Sequence, residues 1–447
     1  MSTQNPRPNV LMVVVHDIGT SLGCYGYPDI RSPHLDRVAE EGVRFDRHFS
    51  TAAFCSPSRG SIVTGKYPHV NGLMGLVNIG WNLPPSNKTD AMLFGANGYD
   101  TVLLGYQHEV RDPEQLGFDR VVRSNHFADR VSPNVVDFIE SRKPGDKPFY
   151  ARVGFFDTHR INTNDKETGR PIGNDWRKYR DRGPAPDSLA IPESMEDCEE
   201  LRRELADFYG AVNFVDENVG KILDALDRNG LADNTVVVFT TDHGIEFPRA
   251  KTTLYDPGIN TSLLMRWPRG IEAGQVVRHM TSHIDILPSL LACCGIDTPG
   301  DMNGRSFLPL VTGAEYTPYD AVFAEKGTDP WDIKRCIRTN EWKLIRNCSP
   351  GTFSLTPVRE YERARQHEEG DRPEWELYDL KDDPREAKNL SGMPHVASVE
   401  KDLKDRLVAW QSETDDPVLS GMMCRPLTEP DHWIRAMRGR PWAPPPW

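Results

Sequence analysis

The sequence lacks three features that would each indicate a particular class of protein. It has no apolar run of about 18 residues, the length that a membrane-spanning helix needs, so we expect no membrane partner. Its eight cysteines form no CxxC pair, which argues against a structural zinc cluster. Residues 1–17 contain no basic segment followed by an apolar core and a small-residue cleavage site, and we therefore expect a cytoplasmic location.

Positive charge is also in short supply. The chain has 53 lysines and arginines against 66 aspartates and glutamates, for a net charge of −13. This balance disfavours nucleic acid as the main partner, because the phosphate backbone binds to basic surfaces. A small anionic substrate stays compatible with it, since a local pocket can oppose the sign of the whole protein.

The 447 residues alternate between apolar runs and amphipathic segments. Five apolar runs without helical periodicity predict buried strands at 9–15, 100–105, 149–156, 234–241 and 262–268. Amphipathic segments predict helices at 33–42 and 199–228. This alternation is typical of an α/β fold with a mostly parallel, doubly wound sheet flanked by helices, and we assign it to a large domain over residues 1–311.

The pattern changes after residue 311. Segments typical of antiparallel strands, joined at one point by a turn at Asn340-Glu341, occupy residues 321–327, 334–347 and 375–380, and a helix is predicted at 396–412. We predict a smaller C-terminal α+β domain with an antiparallel sheet over residues 312–447.

Two segments have no regular pattern. Residues 160–198 are rich in Pro, Gly and Asp, and a loop of that length is usually functional or disordered, so we predict that it covers the substrate. The tail at 433–447 is rich in Pro and Trp. It is either an arm that docks on a second subunit of a homo-oligomer or an ordinary surface tail.

Polar side chains follow each of the four clearest strands. They are His16-Asp17, Tyr106-Gln107-His108, Asp157-Thr158-His159-Arg160 and Asp242-His243. Ligands of open α/β sheets bind beyond the carboxyl ends of the strands, which makes this edge the candidate site. The two Asp-His pairs suit a divalent cation, because carboxylates supply charge and imidazoles supply nitrogen ligands. The alternative is that the aspartates only cap helices and turns.

The stretch AAFCSPSRGSIVTG predicts a helix over residues 57–64, capped by Ser56 and ended by Gly65. The positive end of such a helix binds anions, and Arg59 would add donors suited to sulfate, phosphate or carboxylate. Cys55 lies just outside that end, where we expect an acidified, reactive thiol. The alternative is a buried structural cysteine.

Cys55-Ser56-Pro57-Ser58-Arg59, followed by Thr64-Gly65, matches the signature C-x-P-S-R of the sulfatase family, which the chain resembles. The resemblance continues through SPHLDRVAEEGVRF, NTVVVFTTDHG and WELYDLKDDPREAKNL. Among sulfatases the likeness is to the heparan N-sulfatase (N-sulfoglucosamine sulfohydrolase) group. The resemblance implies an alkaline-phosphatase-like sulfatase fold, and a separate formylglycine-generating enzyme that converts Cys55 to formylglycine.

The resemblance also implies roles for individual residues. The four strand-end residues His16, Asp17, Asp242 and His243 look like ligands of a divalent metal such as Ca, Mn or Zn. Formylglycine at Cys55 would be the nucleophile and Arg59 would stabilise it. The groups that would contact the sulfate or the leaving group are His108, His159 and Lys251, with Tyr106 and Arg160 as further substrate-binding residues.

The chain departs from the family pattern in three places. His16-Asp17 stands where the family usually has Asp-Asp, Asp242-His243 stands for Asp-Asn, and Tyr106 replaces a lysine. The nitrogen donors move the metal preference from Ca²⁺ toward Mn²⁺ or Zn²⁺. The phenol removes one positive charge from the anion pocket, which weakens the argument for an enzyme specific to sulfate.

We therefore expect a sulfuric ester or sulfamate hydrolase that acts on a sulfated sugar or an aryl sulfate. One alternative is a phosphonate monoester hydrolase or phosphodiesterase of the same superfamily. The other is a degenerate member that binds a sulfated sugar without cleaving it.

Overall fold

The computed structural model describes residues 7–160, 162–164, 171–192, 195, 197–327, 332–349 and 373–421, with the backbone alone at 162–164 and 171–174. None of the helices in these residues is both long and apolar enough to span a membrane. The predicted tail at 433–447 lies outside the described residues.

In these described residues, seventeen strands form four sheets. In chain order they are β1 (Asn9–Val15), β2 (Val43–Phe45), β3 (His48–Phe49), β4 (Asp100–Gly105), β5 (Arg120–Val122), β6 (Phe149–Phe155), β7 (Asn162–Asn164), β8 (Pro171–Asn174), β9 (Thr235–Thr241), β10 (Asn260–Thr261), β11 (Leu263–Arg266), β12 (Gln275–Val277), β13 (Thr281–Ser282), β14 (Ala321–Lys326), β15 (Lys334–Thr339), β16 (Trp342–Asn347) and β17 (Trp375–Asp379).

The described α-helices range from single turns to one of 30 residues. They are α1 (Pro33–Glu40), α2 (Cys55–Thr64), α3 (Pro68–Asn71), α4 (Asp90–Ala96), α5 (Ala128–Glu140), α6 (Glu199–Arg228), α7 (Asp256–Ile259), α8 (Ile286–Cys293), α9 (Leu308–Thr312) and α10 (Ala397–Glu413). Short 3-10 turns lie between them, including one at Asp175–Arg182.

The main sheet has eight strands in the order β12-β2-β11-β9-β1-β6-β4-β5. The central strand β1 pairs in parallel with both β6 and β9, and β4 continues the parallel set next to β6. The strand β11 runs antiparallel to β9. The carboxyl ends of β1, β4, β6 and β9 therefore open on one edge of the sheet, as the sequence predicts.

Both faces of the main sheet are covered by helices. On β1, Leu11 and Val13 face a core formed with α1, α5 and α6, while Met12 and Val14 face a second core formed with α4 and α8. This two-sided burial explains why the strand is apolar throughout, because successive side chains point to opposite faces.

The strands β14, β15, β16 and β17 form a second, antiparallel sheet. Helix α10 covers one face with Leu403, Leu407 and Trp410. The edge of this sheet is attached to the segment that leads into α2, because the backbone N–H of Glu325 donates to the carbonyl of Thr51 at 2.8 Å. The C-terminal sheet thus supports the backbone just before Cys55.

Most predicted elements are confirmed. The strands at 9–15 and 100–105 and the helix at 199–228 have their predicted bounds, and the other strands shift by one to two residues at their ends. The proposed domain boundary at residue 312 stays a prediction. Within 160–198, the described residues include a two-stranded sheet and the 3-10 turn at Asp175–Arg182, so this segment has more regular structure than expected.

Candidate active site

The ends of two central strands and the start of one helix meet at the sheet edge. His16 and Asp17 follow β1, His243 lies two residues beyond the end of β9, and Cys55 opens α2. Asp17 has a φ of 53°, an uncommon conformation for a residue with a side chain. It is supported by the backbone N–H of Asp17, which donates to Asp242 Oδ1 at 3.0 Å.

Five side chains converge within a few ångströms, those of His16, Asp17, Cys55, Asp242 and His243. His16 Nδ1 lies 2.8 Å from Asp242 Oδ2, and His243 Nε2 lies 3.3 Å both from Asp17 Oδ1 and from Cys55 Sγ. One candidate ligand atom from each of His16, Asp17, Cys55 and Asp242 lies within 4.8 Å of the other three. The structure therefore brings together all four predicted metal ligands and the predicted nucleophile.

The donor set fits a divalent cation. Among the residues that the structure describes, His16 Nε2 is buried without a hydrogen-bond partner. Asp17 Oδ1 and His16 Nδ1 form no well-aligned hydrogen bond either, although His243 and Asp242 lie 3.3 and 2.8 Å from them, a costly state unless a ligand satisfies them. Burial raises the pKa of both carboxyls, but Lys251 and His243 hold that of Asp17, and His16 and His243 hold that of Asp242, well below the usual range. Both carboxylates are ionised and can bind a cation.

Helix α2 begins two residues earlier than the sequence predicts. Its N-cap is Phe54, with no side-chain hydrogen bond, and Gly65 ends it with a φ of 68°. The predicted cap by Ser56 is wrong, because that residue lies inside the helix and its Oγ accepts from the backbone N–H of Val77 at 3.2 Å. The first N–H groups of α2 therefore have no side-chain cap and can bind an anion.

The expectation of an acidified thiol at Cys55 is wrong for the unmodified side chain. Cys55 is 3% exposed, and this burial raises the pKa of its thiol well above the ordinary value, although Lys251 opposes the shift. The sequence shows the helix end but does not show how completely the tertiary structure excludes water from it. An unmodified thiol at this position is a weak nucleophile at neutral pH.

Arg59 lies one turn after Cys55 and is 2% exposed. Its Nε donates to Asp242 Oδ2 at 2.9 Å, and its guanidinium stands 5.4 Å from the centre of the Tyr106 ring. Nη2 has no hydrogen-bond partner in the described part of the chain. Arg59 thus holds one candidate ligand in place and keeps a donor for an anion.

Lys251 contacts Asp17, one of the candidate metal ligands. Its Nζ donates to Asp17 Oδ2 at 2.7 Å and to Glu246 Oε2 at 2.9 Å, and lies 3.4 Å from His159 Nε2. Burial lowers the pKa of Lys251, but Asp17, the Cys55 group and Glu246 raise it well above its ordinary value. The ammonium is therefore charged. Its predicted contact with sulfate stays a prediction.

The two other predicted histidines are neutral in the free protein. Burial, together with the charge of Lys251, lowers the pKa of His159 well below its usual value. Burial, together with His16 and Arg59, does the same for His108. Each ring can donate one hydrogen bond to a substrate, but neither carries a positive charge of its own.

Tyr106 lies beside the candidate metal ligands, with its ring centre 4.6 Å from that of His16 and 5.7 Å from that of His108. Gly154 on β6 allows this approach, because a Cβ there would lie 2.0 Å from the carbonyl oxygen of Tyr106. The residue is 2% exposed. Tyr106 therefore forms part of the wall between the strand ends of β1 and β4.

Arg160 does not join this cluster directly. Its guanidinium pairs with Glu204, donates to the carbonyl of Glu246 at 3.4 Å and stands 5.5 Å from the centre of the Trp176 ring. These contacts direct it toward the backbone of the Glu246 segment. Its predicted role in substrate binding stays a prediction.

Sequence reasoning missed Glu246, which is 6% exposed and accepts a hydrogen bond from Lys251 Nζ at 2.9 Å. Its position three residues after His243 in the loop that follows β9 is the signal that could have indicated it. Sequence reasoning also gave no role to Ser58, whose hydroxyl donates to the carbonyl of Asp242. No local pattern indicates that contact, because it joins residues 184 positions apart.

Comparison with known proteins identifies the family. The sulfatase family model matches residues 8–296, and a model described as N-sulphoglucosamine sulphohydrolase, C-terminal, matches residues 246–355. The human N-sulphoglucosamine sulphohydrolase is 28% identical, with 92% of this chain and 91% of the relative covered. An ulvan-active sulfatase of Formosa agariphila is 27% identical, with 92% and 76% covered.

Solved structures share the fold. One, in complex with its substrate D-glucosamine-2-N,6-O-disulfate, matches with a TM-score of 0.72 at 22% identity and covers 92% of this chain and 99% of that one. A phosphonate monoester hydrolase of Agrobacterium radiobacter matches with a TM-score of 0.70 at 22% identity, with 93% and 97% covered. The chain belongs to the sulfatase family of hydrolases, whose members generally use a formylglycine and a divalent metal.

Proposed function

We propose that this sulfatase removes the sulfate of a sulfated glucosamine-type sugar, as an O-ester or as a sulfamate, with a formylglycine made from Cys55 by a formylglycine-generating enzyme. The observation that carries the proposal is the position of Cys55, whose Sγ lies 3.3 Å from His243 Nε2 and within 4.8 Å of ligand atoms of His16, Asp17 and Asp242. The similarity to the human N-sulphoglucosamine sulphohydrolase along 92% of the chain supports the class of sugar.

The metal would be held by Asp17 and Asp242 with nitrogen from His16 and His243. Two imidazoles among four ligands favour Mn²⁺ or Zn²⁺ over Ca²⁺, which prefers an all-oxygen shell. When bound, the cation supplies a positive charge that favours an ionised hydroxyl at residue 55, and the hydrated aldehyde supplies that hydroxyl as the nucleophile.

The residues of the chain would bind and orient the sulfate group. The uncapped N–H groups at the start of α2 face the negative charge of its oxygens, and the free Nη2 of Arg59 adds a charged donor. Lys251, whose Nζ lies 2.7 Å from Asp17 Oδ2, adds a second full positive charge. Donors fixed before the reaction stabilise the charge that builds up on the sulfate oxygens in the transition state.

A proton path to the leaving group can be formed by Lys251 and His159. Lys251 Nζ lies 3.4 Å from His159 Nε2, so the neutral ring can give its proton to the departing oxygen or nitrogen and take one from the ammonium. His108, with no ring hydrogen bond in the described residues, is available as a further donor to the substrate.

A substrate panel with formylglycine-containing protein tests the proposal. The panel contains N-sulfoglucosamine, glucosamine 6-sulfate, an aryl sulfate and an aryl phosphonate monoester, each measured as kcat/KM at equal converted fraction and with added Mn²⁺. We expect one of the two glucosamine sulfates to have the highest kcat/KM. A highest value for the aryl sulfate would keep the reaction and refute the sugar assignment.

A phosphonate monoester hydrolase is the second candidate. Tyr106 is the observation that favours it, because a phenol stands where a sulfatase usually has an ammonium, and the phosphonate monoester hydrolase structure shares the fold. A phosphonate kcat/KM above that of every sulfate in the same panel would select this activity. The absence of any turnover by fully converted, metal-loaded protein would instead indicate a sugar-binding protein without catalysis.

A further inference from the structure

One buried histidine behind the candidate metal ligands is not among the residues proposed to bind the metal, the sulfate or the leaving group. His283 is fully buried and follows β13, and its backbone is fixed by a capping box in which Ser282 N–H donates to Asp285 Oδ2 at 2.8 Å. Its ring lies between α2 and β10. A polar ring in such a place needs partners for both nitrogens.

Both ring nitrogens have partners. Nδ1 lies 3.0 Å from Ser58 Oγ, and Nε2 lies 3.2 Å from Thr261 Oγ1. The hydroxyl of Ser58 in turn donates to the carbonyl of Asp242. A continuous row of hydrogen bonds therefore runs from Thr261 through His283 and Ser58 to the backbone of Asp242.

The directions of these hydrogen bonds follow from the number of protons. A serine hydroxyl has one hydrogen and a carbonyl can only accept, so the hydrogen of Ser58 points to Asp242 and its oxygen accepts from His283 Nδ1–H. In a neutral ring, Nε2 is then an acceptor, and Thr261 Oγ1 can give its one hydrogen either to this nitrogen at 3.2 Å or to the backbone carbonyl of His48 at 3.3 Å. Burial, the largest effect, lowers the pKa of His283 to about 3, which agrees with a neutral ring.

The hydroxyl of Ser58 links helix α2, which carries Cys55, to the loop after β9, which carries Asp242. Ser58 lies one turn after Cys55 on α2, and the carbonyl of Asp242 belongs to the loop that carries Asp242 and His243. We propose that His283 is a positioning residue that holds the hydroxyl of Ser58 toward the Asp242 carbonyl and so fixes the nucleophile helix against the ligand loop. The inference rests on the proposed function in taking Asp242 and His243 as metal ligands.

The neighbouring histidine provides a matched control. His48 is also fully buried, its ring centre lies 5.0 Å from that of His283, and its Nδ1 bonds to Thr281 Oγ1 at 2.9 Å. Within the described residues, the His48 ring forms no hydrogen bond with Ser58. Replacing either ring by leucine removes a buried imidazole of the same size, but only the change at His283 removes a partner of the Ser58 hydroxyl. That hydroxyl keeps Ser50 Oγ at 3.1 Å and the carbonyl of Asp242 as partners.

The experiment compares His283→Leu, His283→Asn and His48→Leu in the full chain, at an equal formylglycine fraction measured by peptide mass. Mn²⁺ affinity is measured by calorimetry and kcat and KM with an aryl sulfate. We expect His283→Leu to weaken Mn²⁺ binding and to lower kcat by about 10- to 100-fold each, the usual effect of losing a group that orients metal ligands. KM should change much less.

The conservative variant separates positioning from packing. The amide nitrogen of asparagine can replace Nδ1–H as a donor to Ser58, so His283→Asn should recover most of the Mn²⁺ affinity and of kcat. His48→Leu should lower the melting temperature as much as His283→Leu and leave both quantities near the wild-type values. Equal losses in all three variants, or wild-type Mn²⁺ affinity and kcat in His283→Leu, would overturn the proposal.

Three further measurements distinguish a failure of the proposed metal site from a failure of the role proposed for His283. If Asp242→Asn binds Mn²⁺ as tightly as the wild type, the proposed metal site fails whatever His283 does. If His283→Leu does not fold, the ¹⁵N shifts of the histidine rings in the wild-type protein decide: a neutral ring protonated at Nδ1 supports the row of hydrogen bonds, and one protonated at Nε2 contradicts it. In a Ser58→Ala background, His283→Leu should cause little further loss of Mn²⁺ affinity.

Discussion

Two clusters in this protein contain the same three types of residue. The first, which we call the strand-edge triplet, consists of Asp17, Lys251 and Glu246. The second, which we call the β16 triplet after the strand that carries Lys343, consists of Asp256, Lys343 and Glu386. In both, the lysine Nζ lies 2.6 to 2.9 Å from an oxygen of each carboxylate. Only the strand-edge triplet lies in the candidate active site.

The surroundings of the two triplets differ in charge. In the β16 triplet, Arg338 adds a second cation at 2.8 Å from Asp256, so two carboxyls face two cations, and burial raises the pKa of Glu386 to about 7. Beside the strand-edge triplet, Asp242 adds a third carboxyl and Arg59 adds only one more cation. With its three carboxyls ionised, the strand-edge cluster has one negative charge in excess, and a divalent cation would turn this excess into a net positive charge that suits an anion.

The two triplets also differ in the residues beside them. The strand-edge cluster includes His16, whose Nε2 is buried without a hydrogen-bond partner in the described ranges. The β16 triplet has unsatisfied buried atoms too, Lys343 Nζ and Glu386 Oε1, but these two atoms lie 2.7 Å apart as an ion pair, and in the described part of the chain no imidazole forms a hydrogen bond or ion pair with this triplet. A buried Asp-Lys-Glu contact is thus not by itself evidence of an active site, whereas unbalanced charge beside a free imidazole nitrogen is.

The largest expected effect is the loss of activity on replacing Cys55, and the buried Cys336 beside the β16 triplet provides the matched control. We expect Cys55→Ala to lower kcat/KM by about 10⁴-fold or more, because it removes the nucleophile. Cys336 is fully buried beside Lys343, and Cys336→Ala should change kcat less than about twofold while lowering the melting temperature. Near-wild-type turnover by Cys55→Ala would remove the nucleophile assignment.

Replacing the lysines of the two triplets should affect different quantities, namely kcat at Lys251 and the free energy of unfolding at Lys343. Lys251→Met removes a charge near the reacting group, and we expect kcat to fall by about 100-fold or more. Lys343→Met leaves the buried Glu386 without its ammonium, while the partly exposed Asp256 keeps Arg338. We expect the free energy of unfolding to fall by about 3 kcal/mol, with kcat per folded molecule unchanged. Kinetics and denaturant unfolding of both variants measure this, and equal loss of kcat in the two would break the comparison.

The metal preference tests the role of His16. We expect His16→Asp to move the preference from Mn²⁺ or Zn²⁺ toward Ca²⁺ by about 10-fold in relative affinity, because it replaces a nitrogen ligand by oxygen. The measurement is titration of each ion into chelator-treated protein. An unchanged order of affinities would show that His16 is not a ligand.

A buried carboxyl outside both triplets, that of Asp216, sharpens the comparison, because none of the cationic side chains in the described segments forms an ion pair with it. Asp216 accepts from the backbone N–H groups of His34 and Leu35, and burial raises its pKa to about 7. The folded protein holds a proton there that the unfolded chain loses near pH 4, so stability should fall as the pH rises from 4 to 7.

The variant Asp216→Asn keeps an acceptor for those N–H groups and removes the titration. Relative to it, the wild type should lose about 1 kcal/mol or more of unfolding free energy between pH 5 and pH 7. Denaturant unfolding of both proteins across this range measures the difference. Parallel pH profiles would show that burial alone does not raise the pKa of this carboxyl.

The sequence predicts those parts of the site that depend on local pattern. Strand β1 is apolar on both faces, and parallel strands open on one edge, so Asp17 and Asp242 could be placed together from their positions after two strands. The start of α2 was predicted two residues late, because the contact of Ser56 with Val77 prevails over its local preference for a cap.

Other features depend on the tertiary structure alone. The high pKa of the Cys55 thiol results from burial, which the flanking residues do not reveal. The contact of His283 with Ser58 joins residues 225 positions apart, and no periodicity or spacing indicates it. The substrate-binding roles of Lys251 and Arg160 are still predictions for the same reason, since they depend on a bound sulfate.

The central claim is that an oxidised side chain at residue 55, and not the thiol, performs the reaction. The most direct measurement compares specific activity with the formylglycine fraction of the Cys55 peptide across preparations made with different amounts of formylglycine-generating enzyme. We predict a straight line through the origin at saturating Mn²⁺. Equal specific activity in preparations with and without formylglycine would contradict the account.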